Sequence, residues 1–417
     1  MKKWQKVLLG TVLVLGAGAW LWWQDEALNP QARAWLDEPA VPADSTAYYQ
    51  LLGLDAPAGQ DPQKVGRQLA QAHRQRRAEH GPYDQMPPAV DGQRIELPGK
   101  ELCALGEGDC LQQLRQDRAA LAALLSRHGE LLRRYESLLA LNDYRTLSQP
   151  SMDEPLANFT TLDRANRLRA AQALALAVDG RGEEALAVLQ QDVRLLRDWL
   201  ARADNLILKM VLVNQLGHDL DSIAALHRAG LVSAPAAQAP LSEAERSLEA
   251  PMQREFVLVG SGLLTLVDNP QTAAELGASK WQLRLMYKPH MTVNDMLPDY
   301  ERVAAGSRLE TAAFVLTLGT PARTELSIWR RMRNPVGAIL GDVAMPDFNK
   351  YLARLHDLDA KLALFSSLGQ AVPEADNPYR PGQRASWNAK RQAYCFTGPL
   401  KDEQGVRCLS WPAPPVQ

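Results

Sequence analysis

Apolar and polar positions fall into three regimes along the chain. The first is a charge-free run, Val7 to Trp23 (VLLGTVLVLGAGAWLWW), preceded by Lys2, Lys3 and Lys6 and closed by Asp25 and Glu26. As a helix it covers about 25 Å, slightly less than the roughly 30 Å hydrocarbon core of a bilayer. Trp4 and the Trp20, Trp22, Trp23 cluster supply interfacial anchors at its two ends. The pattern predicts an uncleaved, membrane-spanning signal anchor over 7–23. The positive-inside bias then places 1–6 in the cytoplasm and the bulk of the chain on the periplasmic side of a bacterial inner membrane. Cleavage after Ala17-Gly18-Ala19 is the competing reading, and it would leave an exposed Trp-Leu-Trp-Trp terminus.

The second regime is helical periodicity. Residues 24–60, rich in Pro, Ala and Asp, read as a linker with one short helix near Ala32–Leu36. Asp61-Pro62 starts a basic helix reaching about Glu79, and 81–108 is a Pro-containing loop. Asp109 is placed to cap one long helix, because Leu111, Leu114, Leu121, Leu125, Leu132, Tyr135 and Leu139 form a single stripe broken only by Arg118 and His128. Within a helical region spanning 61–230, Ala170–Val178, the turn at 179–182 and Glu183–Leu200 predict an antiparallel helix pair. The stretch GRGEEALAVL at 180–189 resembles half of a tetratricopeptide-type unit, although no second copy follows at a period of about 34 residues. Another amphipathic helix is expected over 205–229, then a linker at 231–240. Ser242 and Glu245 have capping-box spacing and open a second helical region, 241–370. The period weakens from Asp268 to Pro298. Helices are expected again over 298–317, 321–332 and 347–368.

The third regime is a strand-like tail. In 371–417, Arg391–Thr397 and Val406–Trp411 alternate aromatic and β-branched residues around a Gly-containing turn, which predicts a β-hairpin. The fold class that follows is all-α: a multi-helix bundle or short solenoid-like array behind a single N-terminal transmembrane helix, with a small C-terminal hairpin.

Composition agrees with a folded, largely soluble body: of 417 residues 46% are hydrophobic and 23% charged. With 46 Lys+Arg against 48 Asp+Glu, no global field draws the chain to nucleic acid. The four cysteines form two local pairs. Cys103 with Cys110 and Cys395 with Cys408 each bracket a Gly-containing loop, and in an oxidising compartment the simplest reading is two short-range disulfides. Their spacing fits zinc poorly.

Candidate chemistry is sparse. The tetrapeptide His-Asp-Leu-Asp occurs twice, at 218–221 and 356–359. Side chains at i and i+3 share a helix face, so His218 with Asp221 and His356 with Asp359 could supply two imidazoles and two carboxylates to a Zn²⁺ or Mn²⁺ ion and an activated water. A metal-dependent hydrolase is therefore one expectation. The plainer reading is that helix surfaces carry His and Asp freely and a four-residue match arises by chance in a long chain; a second is that two similar helix-packing units carry the repeat. Arg74, Arg76, Arg77 and Arg330, Arg331, Arg333 form two basic clusters. They are either solvated helix faces or contacts for anionic head groups or an acidic partner. Gly260-Ser261-Gly262 lacks the spacing of a nucleophile elbow, and there is neither HExxH nor a phosphate-binding loop. No cofactor motif is present. The favoured expectation is a binding or scaffolding module of the cell envelope, tethered by 7–23 and engaging an envelope protein.

Overall fold

The computed structural model describes residues 4, 20, 22–37, 44–79, 93–275, 277, 279–319, 323–402 and 404–412. Most of the run Val7–Trp23 lies outside the described residues, as does most of the 81–108 loop's Pro-rich first half. Among the described residues no helix is long and apolar enough to cross a membrane. The chain is mostly helical and ends in small antiparallel sheets.

In chain order the helices are α1 (Pro30–Asp37), α2 (Thr46–Leu52), α3 (Pro62–Glu79), α4 (Cys110–Gln116), α5 (Arg118–Arg127), α6 (Gly129–Leu139), α7 (Phe159–Val178), α8 (Gly182–Arg202) and α9 (Leu206–Arg228). They continue as α10 (Glu243–Arg246), α11 (Glu249–Thr265), α12 (Pro270–Glu275), α13 (Lys280–Met286), α14 (Pro289–Ser307), α15 (Thr311–Thr317), α16 (Ile328–Arg333), α17 (Pro335–Ala344) and α18 (Asn349–Phe365). The strands are β1 (Asp376–Asn377), β2 (Arg380–Arg384), β3 (Ser386–Asn388), β4 (Ala393–Cys395) and β5 (Cys408–Ser410). Two discontinuous units result. The first comprises 1–40, 252–302 and 321–347; the second comprises 41–251, 303–320 and 348–417.

The second unit is built on the antiparallel pair α7–α8 with α9 packed on both. Gly180, at φ +81°, makes the reversal between α7 and α8, a backbone conformation that costs other residues more. Leu168, Leu174, Leu189, Leu196, Trp199 and Leu220 fill the core between the three helices. Asn158, the first residue of an Asn-Phe-Thr sequon, is the N-cap of α7, and its amide also donates to Asp55 Oδ2 at 3.0 Å. α18 lies against α9, and β5 packs on both. β3, β4 and β5 form one antiparallel sheet in which Cys395 faces Cys408, so the disulfide closes the β4–β5 hairpin. The other disulfide joins Cys103 to Cys110.

Several expectations are corrected. The segment read as a linker over 24–60 contains α2, whose Tyr48, Tyr49, Leu51 and Leu52 are buried; aromatic and leucine side chains override a Pro- and Ala-rich surround. The single long helix over 109–139 is three helices. Asp117 leaves the helical region and caps α5 by accepting from Ala120 N, and a second break falls at His128. The Ser242–Glu245 capping box forms, but it opens one turn only, because the chain becomes extended at Ser247 before α11 begins. α14 runs through Pro298 from Pro289, with Asp25 accepting from His290 N and Met291 N at its start, so the helix expected to begin at 298 begins nine residues earlier.

In the first unit Trp35 of α1, Phe256 of α11 and Tyr300 of α14 meet edge to face, with ring centroids 5.4 Å apart at each step. Gly260 of α11 admits this packing: a Cβ there would lie 3.3 Å from Leu36 Cδ2. The Gly-Ser-Gly stretch is thus a helix-packing site.

Candidate functional site

The two His-Asp-Leu-Asp segments lie on α9 and α18, which pack together, yet equivalent residues meet different surroundings. In the second copy His356 is fully buried, stacked on Phe314 at 4.3 Å, with Nδ1 3.0 Å from the Thr311 hydroxyl. Burial, reinforced by the Arg246 charge, lowers its pKa to about 3 and keeps the ring neutral. Asp357 accepts from Tyr379 Oη (2.6 Å) and Arg407 Nη1 (2.8 Å); burial still pushes its carboxyl up to about 6. Asp359 accepts from Leu241 N at 2.6 Å and from Thr311 Oγ1 at 3.2 Å, which pins the 231–240 connection to α18. This copy is structural.

The first copy borders a cavity of about 370 Å³ within the second unit. Asp219 is buried and accepts from Asn166 Nδ2 at 2.8 Å. His218 and Asp221, one turn apart, face the cavity with Gly217 and Asn214. Asp221 Oδ1 accepts from Lys361 Nζ at 2.5 Å. Lys361 is only 2% exposed, whereas 29% of the Asp221 side chain remains accessible. Burial raises the Asp221 carboxyl, and the Lys361 ammonium opposes that shift. His218 Nδ1 lies 3.8 Å from Asp163 Oδ1, and burial, with the Arg167 and Lys361 charges adding to it, lowers its pKa to about 4. At neutral pH the wall therefore carries a neutral imidazole beside an ion pair.

Both disulfide-closed loops complete the wall. Gly106 and Glu107 come from the 103–110 loop, and Gly405, Val406 and Cys408 from the 395–408 loop, with Arg167 and Arg391 adding two further cations. Gly106 is required by close approach, since a Cβ there would come within 2.5 Å of Asp221 Cβ. Gly217 is the opposite case: a Cβ on it would meet nothing within 4 Å, because it looks into the open cavity.

The four residues proposed as metal donors do not converge. Asp221 is held by Lys361, His356 and Asp359 by Thr311, and His218 faces Asp163; among the described residues no group of three or more His, Cys, Asp or Glu could hold a metal ion. The basic clusters separate into different units. On α3, Arg74 is exposed, Arg76 half-buried, and Arg77 pairs with Asp153 at 3.5 Å. On α16, Arg330 pairs with Glu26 (2.9 Å) and Asp295 (2.6 Å), Arg331 lies 3.6 Å from Asp342, and Arg333 donates to Gln24 O at 2.6 Å. Sequence reasoning missed Lys361, Arg167 and Arg391. Lys361 alone left a sign, a lone cation in the otherwise apolar stretch AKLALF. No family model, curated protein or solved structure matches the chain.

Proposed function

We propose that this chain is a binding module of the bacterial cell envelope, tethered to the inner membrane by 7–23, and that its helical body holds a small polar ligand bearing an anionic group in the α9–α18 cavity. The observation that carries the reading is the cavity wall itself, where Arg167, Lys361 and Arg391 face Asp221 and Glu107 around an open cavity of ligand size. Two short disulfides hold the loops of that wall, so the site is preformed and little ordering entropy opposes binding. The same disulfides, which use all four cysteines, support an oxidising compartment.

The test is thermal unfolding of the purified full chain against a panel of amino acids, short peptides and phosphorylated sugars, with Gly217→Leu as the control that fills the cavity. A ligand at about a hundredfold its Kd stabilises by about 2.7 kcal/mol, an easily read rise in Tm. The expected result is a rise in the native chain that Gly217→Leu abolishes. A panel without effect, together with a stoichiometric protein captured by crosslinking in cells, would replace ligand binding by scaffolding.

A further inference from the structure

Helices of a folded unit ordinarily turn their apolar stripe inward. Three neighbouring helices of the first unit do the reverse. α16 buries none of its six residues, and Ile328 and Met332 lie one turn apart with Trp329 beside them, Ile328 being 79% exposed. α17 buries Gly337, Ala338 and Gly341 while leaving Ile339 and Val343, again one turn apart, open to solvent. α13, packed against α17, exposes Trp281 and Leu285. Contiguous apolar exposure of this kind marks a surface that is covered in use.

What covers it is indicated by where the apolar run ends. Trp22 packs edge-on against Trp329 at 5.2 Å, and Lys288 Nζ donates to Trp23 O at 3.0 Å. Arg333 holds Gln24 O, and Arg330 holds Glu26. The last residues of Val7–Trp23 are therefore fixed to α16 and to the start of α14, beside the exposed face. α13 carries Lys280 and Arg284, beside Asp268, and α16 carries three arginines, against one acid on the three helices, Asp342 of α17, which lies near Arg331. Tryptophan, aliphatic residues and cations on short helices suit the interfacial layer of an anionic bilayer.

We propose that α13, α16 and α17 form a membrane-seated face, lying in the head-group layer of the leaflet from which the 7–23 segment emerges. The proposal rests on the anchor reading given above. It is tested on the full-length chain in phosphatidylcholine–phosphatidylglycerol vesicles, with single cysteines introduced as Ile328→Cys or Val343→Cys and labelled with bimane. Leu13→Cys reports the anchor, and Met152→Cys, at a 93% exposed position of the second unit, reports water. Brominated acyl chains quench a probe that reaches them. The expected result is loss of emission at 13, 328 and 343 and none at 152. Quenching at 13 alone overturns the membrane face and leaves the anchor standing. Loss of quenching at 13 as well overturns the anchor reading. A blue-shifted but unquenched probe at 328 and 343 overturns the proposal in favour of a protein covering the face.

Discussion

The Asp221–Lys361 pair makes an asymmetric prediction. Replacing Asp221 by Asn leaves an ammonium that is 2% exposed without its counterion, whereas replacing Lys361 by Met leaves a carboxylate with 29% of its side chain open to the cavity. Removing one partner of a fully buried pair costs about 3–5 kcal/mol, and Asp221→Asn should fall in that range. Lys361→Met should cost about 1–2 kcal/mol, because water in the cavity keeps solvating the carboxylate and the methionine retains the packing of the lysine stem. The double variant Asp221→Leu/Lys361→Met should lie within about 1 kcal/mol of the native chain, since both desolvated charges are gone. Urea unfolding of the native chain and the three variants measures these costs. A second reading is internal to the site: the Lys361 charge helps keep His218 low, so Lys361→Met should raise the His218 titration followed by NMR. Equal costs for the two single variants, or a larger one for Lys361→Met, would refute the described burial of the pair.

Two further predictions concern stability. His356 has its pKa lowered from 6.5 to about 3, so its contribution is full above 6.5 and is lost as the pH falls from 6.5 towards 3, where the unfolded chain binds a proton that the fold refuses. By about pH 5 this amounts to about 2 kcal/mol, and His356→Gln should gain that much relative to the native chain between about pH 7.5 and pH 5 in urea midpoints. A gap that does not change with pH would contradict it; Asp357, raised to about 6, works in the opposite direction in both proteins and cancels from the comparison. The disulfides span sequence separations of 7 and 13. Paired Ser variants should therefore lose about 2.5 kcal/mol at Cys103/Cys110 and about 3 kcal/mol at Cys395/Cys408, measured by the same unfolding assay; unchanged midpoints would show that the loops are held by packing alone.

Local signals in the chain were read correctly where one residue type decides the outcome. The α7–α8 pair follows from a leucine and alanine period interrupted by Asp179-Gly180, and the disulfides follow from two short Cys spacings. Legibility failed where a tertiary partner decides. Asp117 can sit inside a helix or cap one, and only the α4–α5 break shows which. Pro298 falls inside α14, whose start is set instead at Pro289, where Asp25 accepts from His290 N and Met291 N. The division into two discontinuous units is invisible to a linear scan, because 1–40 joins segments more than two hundred residues away.

The repeated His-Asp-Leu-Asp shows the same limit at the candidate site. Helical geometry guarantees that His and the second Asp share a face, and both copies obey it. What that face meets is set by the rest of the chain. On α18 it meets Thr311, Arg246 and the backbone of Leu241, which take up His356 Nδ1 and the Asp359 carboxylate inside the fold. On α9 it meets Lys361 and then empty space, because Gly217 contributes no side chain and Gly106 allows the 103–110 loop to close over Asp221 without filling the volume. Two glycines and one lysine thus separate a packing motif from a cavity wall. For that reason Gly217→Leu reports on function where substituting His356 would report chiefly on stability.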